Sequence, residues 1–74
     1  MNIVWTKQVC PFCKMAKSLL EKHNIQYEER EIGNKWTREQ LLEEIPSART
    51  VPQIIFDGKV IGGYEQLKLY LEQR

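Results

Sequence analysis

Seventy-four residues and 8.8 kDa leave room for one domain, so residues 1–74 are expected to form a single one, and hydrophobic and charged fractions of 42% and 28% exclude a disordered chain. Eleven Lys and Arg against ten Asp and Glu give a net charge of +1, which excludes the strongly basic surface of a nucleic-acid binder. The longest apolar runs, Ile3 to Trp5 and Ile54 to Phe56, are three residues long, against roughly 20 for a bilayer span and 7–15 for a signal core, so a soluble chain with no membrane partner and no secretion signal is expected.

Residues 2–6 read as a first strand, buried on both faces, because Ile3-Val4-Trp5-Thr6 is a β-branched and aromatic run. The loop from Lys7 to Val9 delivers Cys10. Pro11 suits the first turn of a helix, where its missing N–H costs nothing, which puts Cys10 at the N-cap and Cys13 one turn inside. Met15, Ala16, Leu19 and Leu20 recur at helical spacing and predict an amphipathic helix with these four inward, ending near His23-Asn24.

Residues 25–32 open with Ile-x-Tyr alternation and turn strongly charged, which predicts a second strand at a sheet edge, where charge discourages mispairing. Gly33-Asn34 breaks it. Thr37-Arg38-Glu39-Gln40 has the form of a capping box, and Trp36 with Leu41 has the spacing of a hydrophobic staple, so a second helix starts there with Leu41, Leu42 and Ile45 inward and Pro46 as its stop. Asp57-Gly58 between residues 51–56 and 59–61 is a hairpin signal. Gly62-Gly63 leads into a last helix with Tyr64, Leu67, Tyr70 and Leu71 on one side. The order β-α-β-α-β-β-α predicts an α/β fold: a four-stranded mixed sheet, its first two strands parallel through a right-handed crossover, flanked by helices on both faces.

Charge is uneven along the chain. Lys7, Lys14, Lys17 and Lys22 outweigh Glu21 in the first third, and residues 28–44 carry six acids against three bases. Solvated helix faces account for such blocks as well as a functional surface does.

The two cysteines stand as Cys10-Pro11-Phe12-Cys13. A disulfide between them closes so small a loop that it adds little stability, which points away from a structural staple. Zinc is disfavoured too, because the only histidine, His23, lies about 15 Å along the helix from Cys13 at roughly 1.5 Å per residue. Redox chemistry remains. A thiolate is the attacking species, and Cys10, at a helix N-terminus with Lys7 just upstream, is the better placed to be one. Cys10 is therefore the expected nucleophile and Cys13 the resolving thiol.

Cys10-Pro11-Phe12-Cys13 on a helix N-terminus, Thr50-Val51-Pro52 before a strand and Gly62-Gly63 before the last helix together resemble a short dithiol glutaredoxin, along essentially the whole chain. The resemblance implies a thioredoxin-like fold and glutathione-coupled reduction of protein disulfides and glutathione mixed disulfides, with glutathione as co-substrate, no tightly bound cofactor and no metal. It implies a cis peptide at Pro52. It also implies a glutathione site: Lys7 on a carboxylate, Phe12 as apolar cover, Val51 pairing its backbone with the cysteinyl part, Pro52 shaping that wall, and Gly63, Tyr64 and Glu65 at the turn whose N–H groups hold the γ-glutamyl carboxylate. A Gly-rich turn feeding a helix N-terminus is an anion site on physical grounds as well.

The chain departs from the family pattern in three places. Phe12 stands where tyrosine is common, Gln66 follows Glu65 where a second acid is common, and Glu39 occupies a second-helix position that often carries a polar contact to glutathione. Arg38, Gln40 or Arg49 could substitute for that contact. Two other readings share the sequence: a redoxin reduced by thioredoxin reductase, disfavoured by Pro11, and a dimer bridging a [2Fe–2S] cluster with two glutathiones, disfavoured by Pro11 and Cys13. The resemblance further implies a cytoplasmic monomer acting on disulfide-containing or glutathionylated proteins, ribonucleotide reductase being a familiar substrate of the family.

Overall fold

The computed structural model describes residues 1–73; the last residue of the expected domain, Arg74, lies outside the described residues. Four strands and three helices alternate as β1 (Ile3–Lys7), α1 (Pro11–Lys22), β2 (Glu28–Ile32), α2 (Arg38–Glu44), β3 (Gln53–Phe56), β4 (Lys59–Gly62) and α3 (Tyr64–Glu72). The sheet order is β2-β1-β3-β4. β1 runs parallel to β2 and antiparallel to β3, and β3 antiparallel to β4, so the sheet is mixed as expected and β2 lies at its edge.

Side chains alternate across a strand, and β1 uses both sides. Val4 enters a core with Ala16 and Leu20 of α1, Ile54 and Phe56 of β3, and Leu67 and Leu71 of α3. Ile3 and Trp5 face the opposite core, with Leu41 and Ile45 around α2, Ala48 and Ile55. Helices thus cover both faces of the sheet. Full burial of a side chain such as Leu20, Ile54 or Leu67 is worth about 1.5–3 kcal/mol relative to exposure.

Local chemistry sets the joints. α1 ends in a Schellman motif: Asn24 is left-handed at φ 58, Ile25 N–H donates to Leu20 O at 2.9 Å and Asn24 N–H to Glu21 O at 3.0 Å. The capping box at α2 is complete, with Gln40 N–H donating to Thr37 Oγ1 at 3.2 Å and Thr37 N–H to Gln40 Oε1 at 2.8 Å. Asp57 and Gly58 both have positive φ, 53 and 78, as a tight hairpin turn demands.

Four expectations need adjustment. The first strand is shifted one residue, to Ile3–Lys7. The second strand starts at Glu28 rather than Ile25: Ile25 and Tyr27 pack on the α1/α3 core from the connecting loop, and the ladder begins where Ile3 pairs with Glu28. Val51 and Pro52 precede β3, which begins at Gln53. Met15 is 44% exposed, because the inward face of α1 is centred on Cys13, Ala16 and Leu20. Met15 lies instead on a flanking stripe with Phe12 and Leu19.

Two polar clusters tie the layers together. Trp5 is fully buried and its Nε1–H needs an acceptor; Glu44 Oε1 provides it at 2.9 Å and also accepts from Arg30 Nη1 at 2.9 Å. The Arg30 guanidinium lies 4.3 Å from the Trp36 ring centre, and Trp36 meets Trp5 edge-on at 5.4 Å. On the other side of the sheet, Glu29 Oε2 accepts from Thr6 Oγ1 at 2.7 Å and Lys17 Nζ at 3.0 Å, joining β2, β1 and α1.

Burial alone would raise the Glu29 carboxyl, but the hydrogen bonds from Thr6 and Lys17 and the lysine charge outweigh it and hold the group below its ordinary 4.5. A carboxyl held down by the fold contributes stability that is present above its ordinary value and lost as pH falls through the lowered one. The thermal midpoint is therefore expected to fall as pH drops below about 4.5, with Glu29→Gln losing that part of the dependence; water reaches both partners, so the effect is under about 1 kcal/mol. Calorimetry across this range checks it, and an unchanged pH profile in Glu29→Gln would count against it.

Candidate active site

β1 emerges from the sheet at Lys7, and the three-residue connection Gln8-Val9 to Cys10 turns the chain into α1. Val9 is exposed and left-handed, φ 51, a costly conformation for a β-branched residue at about 1–3 kcal/mol. Its strain sits immediately before the first cysteine.

Cys10 is the N-cap of α1, in extended conformation at φ −138, with Pro11 at the first helical position. Its Sγ accepts from the Cys13 backbone N–H at 3.2 Å, so the sulfur takes the place a serine or aspartate oxygen usually fills. A negative charge on this sulfur faces unpaired N–H groups and the positive end of the helix. Cys13 lies inside the first turn and is 2% exposed, against 7% for Cys10. The two form a disulfide, so the structure holds the oxidised state of the pair. Cys10 Sγ also lies 3.8 Å from Val51 O; the disulfide leaves no S–H to donate, so this is a contact here and a hydrogen bond only for the thiol.

The Val51–Pro52 peptide is cis, as the resemblance implies. Val51 lies outside the β1/β3 ladder, whose pairing ends at Gln53 opposite Trp5, so Val51 remains available as a strand-like edge beside the sulfur. Two clefts meet there. One, of about 340 Å³, is lined by Phe12, Thr50, Val51, Pro52 and residues 63–66 at the start of α3. The other, of about 270 Å³, is lined by Lys7, Arg38 and Arg49 together with Ile32, Leu41, Thr50 and Val51.

Lys7, Phe12, Val51, Pro52, Gly63, Tyr64 and Glu65 therefore each line one of these clefts, and Cys10 and Cys13 form the dithiol beside them. Gly63 is the N-cap of α3 and its N–H donates to Gln66 Oε1 at 3.0 Å, so of the turn expected to hold a carboxylate the Gly63 N–H is already occupied. Tyr64 and Glu65 supply the first-turn N–H groups instead. Gly62 adopts φ 120, and a Cβ there would lie 3.1 Å from Gln66 Cγ, which accounts for glycine at that joint. Phe12 covers the mouth and meets the Tyr64 ring at 6.0 Å.

Of the three substitutes for the second-helix contact, Arg38 and Arg49 join Lys7 in the basic cleft, whereas Gln40 is committed to the α2 cap. The convergence of Arg38 and Arg49 on Lys7 was not readable from spacing, because 31 and 42 residues separate them from Lys7 and the pairing of β1 with both β2 and β3 brings them together.

A four-stranded mixed sheet with a dithiol at the N-terminus of its first helix defines a thioredoxin-like redox protein. The glutaredoxin family model matches residues 2–61. A glutaredoxin 1 of Rickettsia conorii is 39% identical over 67 residues, 88% of this chain and 66% of that protein, so the chain spans just under two thirds of that relative's length. The crystal structure of a glutaredoxin 1 from Francisella tularensis, complexed with cacodylate, superposes with a TM-score of 0.83 at 30% identity, over 97% of this chain and 92% of that one. A buckwheat glutaredoxin–glutathione complex superposes with the same TM-score of 0.83 at 25% identity, over 97% of this chain and 68% of that one. The chain belongs to the glutaredoxin family.

The asymmetry between the cysteines is measurable. After reduction, substoichiometric iodoacetamide at about pH 6 is expected to label Cys10 roughly tenfold faster than Cys13, since thiolate fraction and access both favour Cys10. Peptide mass spectrometry reads the ratio, and equal labelling would remove the distinction between the two sulfurs.

Proposed function

We propose that the protein is a glutathione-dependent thiol–disulfide oxidoreductase that reduces protein disulfides and glutathione mixed disulfides. The observation that carries the reading is Cys10 Sγ as the cap of α1, accepting the Cys13 N–H, at the junction of an apolar cleft and a basic one. The tripeptide has matching chemistry: two carboxylates at its ends and an extended cysteinyl unit between them.

In this reading the γ-glutamyl carboxylate meets the Tyr64 and Glu65 N–H groups at the start of α3, with Glu65 available to the γ-glutamyl ammonium. The cysteinyl backbone adds to the Val51 edge, and the glycine carboxylate meets Lys7 with Arg38 and Arg49. Phe12 and Pro52 exclude water from the exchanging sulfurs. The likeness to the buckwheat glutathione complex supports this arrangement.

The exchange balances without a bound cofactor. Cys10 thiolate attacks a disulfide sulfur, forming a mixed disulfide and releasing one thiolate, which takes a proton from solvent. For a protein disulfide, Cys13 then attacks Cys10 Sγ, forming the Cys10–Cys13 disulfide and releasing the second protein thiol. Two glutathiones reduce that disulfide and leave as glutathione disulfide. For a glutathionylated protein, Cys10 takes the glutathione, and a second glutathione releases it as the same product, without Cys13. A cytoplasmic location belongs to the same proposal, since turnover needs reduced glutathione.

Cys10→Ser is expected to abolish both reactions, while Cys13→Ser keeps the reduction of glutathione mixed disulfides and loses the reduction of protein disulfides. Coupled assays with glutathione and glutathione reductase measure both, and turnover supported only by thioredoxin reductase would reverse the choice of reductant.

Lys7→Gln separates two roles of the cation. With Lys7 as a carboxylate clamp, KM for glutathionylated substrates rises about threefold to tenfold, and the iodoacetamide pH profile of Cys10 moves by less than about one unit. A larger move in that profile, with KM unchanged, would assign Lys7 to thiolate stabilisation instead.

A further inference from the structure

The flank of α1 beside the dithiol carries an apolar stripe that the α1/α3 core takes up only in part, through the partly buried Leu19. Phe12, Met15 and Leu19 follow at spacings of three and four, and Lys22 continues the line. Phe12 and Met15 are 54% and 44% exposed. Met15, Leu19 and Tyr64 line an open groove of about 330 Å³, together with Ser18, Lys14 and Lys22. Tyr64 also lines the apolar cleft at the start of α3, so the groove begins where that cleft ends.

The charges along the groove have one sign. Lys14 and Lys22 have no ion pair among the described residues, whereas Lys17, on the next face of the helix, is held by Glu29 at 3.0 Å. The nearest acid in sequence, Glu21, accepts from Tyr27 Oη–H at 2.7 Å and is absent from the groove lining. That bond adds to burial in pushing the Tyr27 hydroxyl up to about 12, so Tyr27 stays a neutral donor to Glu21. From residue 12 to residue 22 the helix rises about 15 Å, the length of four or five extended residues.

We propose that this groove docks the polypeptide segment flanking the reactive cysteine of a substrate protein, a segment with an apolar side chain between acidic residues. The inference rests on the oxidoreductase reading above. It deepens that reading by assigning substrate selection to a surface that continues from the apolar cleft along α1, away from the basic cleft. The apolar anchor seats on Met15 and Leu19 beside Tyr64, and the acidic neighbours face Lys14 and Lys22. Opposite charge across such a rim speeds encounter and rejects basic partners more than it adds affinity, and it weakens with salt.

Two glutathionylated peptides test this, one with Glu-Leu-Glu and one with Lys-Leu-Lys on both sides of its cysteine. The wild type is expected to favour the acidic peptide about tenfold in kcat/KM at low salt, chiefly through KM, and Lys14→Gln/Lys22→Gln to reduce that preference to about twofold. Turnover of bis(2-hydroxyethyl) disulfide stays unchanged in that variant. Equal KM for the two peptides in the wild type overturns the proposal. So does a preference that survives the double substitution, which would assign the selection to Lys7, Arg38 and Arg49.

Chemical-shift mapping with the same peptides carrying serine for cysteine gives a readout independent of turnover, with shifts expected along Met15, Ser18 and Leu19. If bis(2-hydroxyethyl) disulfide is not turned over with glutathione, the oxidoreductase reading has failed, and the mapping alone decides the groove. A concentration-dependent dimer that Met15→Gln dissociates would give the groove to a second copy of the chain and overturn the peptide assignment.

Discussion

The double burial of β1 is the constraint on which the rest of the molecule depends. Val4 on one face and Trp5 on the other are both without solvent exposure, and Thr6 between the cores and the active loop is nearly so. A strand held from both sides and paired on both edges has no freedom to slip, because a shift of one residue would put Trp5 where Val4 stands. The end of that strand therefore fixes where the chain turns at Lys7 and where α1 begins. The sulfur at the α1 N-cap inherits its position from a core that contains no reactive group.

The opposite side of the site comes from β3. Ile54 and Ile55 alternate into the two cores in register with β1, and the residues just before them, Val51 and Pro52, are carried to the edge of the dithiol. α3 follows the β3/β4 hairpin back across the same face as α1, which brings Gly63 to Pro52 O, 3.6 Å from the place a Cβ would occupy. A Cβ at Gly63 would make only ordinary contact with Pro52 O, so the approach of the α3 N-terminus to the Val51 wall follows from the path of the β3/β4 hairpin and not from the missing side chain. Three segments distant in sequence thus meet because each is the end of a buried element.

Most of this architecture was legible in the sequence because its signals are local. The Cys10-Pro11 start, the Thr37/Gln40 box and the Asp57-Gly58 turn each act within four residues, and each forms the element it announces. The dithiol and most of the residues lining the apolar cleft were legible for the same reason, as short motifs on element ends. Long-range pairings were not. Nothing near Trp5 in the chain indicates that Glu44 will satisfy its indole N–H, or that Arg30 will lie over Trp36. The placement of Met15 failed for a related reason: helical periodicity identifies neighbouring apolar positions, but which arc faces inward is decided by the packing of Cys13, Ala16 and Leu20 against other elements.

The Trp5–Glu44–Arg30 cluster shows how such a pairing reaches the site. α2 is only seven residues long and too short to be stable alone, so it depends on its contacts with the sheet. Leu41 and Ile45 bury one side, but a hydrophobic contact by itself permits sliding. Glu44 prevents it, since leaving its position would strand the buried indole N–H, a cost of about 1–3 kcal/mol, and leave Arg30 with only Glu28 as an ion-pair partner. With the last turn of α2 held against β1 and β2, its first residue, Arg38, is held beside Lys7 and Arg49 at the other end of the same helix. The contribution of Arg38 to the basic cleft thus depends on a hydrogen bond made one helix length away, on the far side of Leu41 from the chemistry.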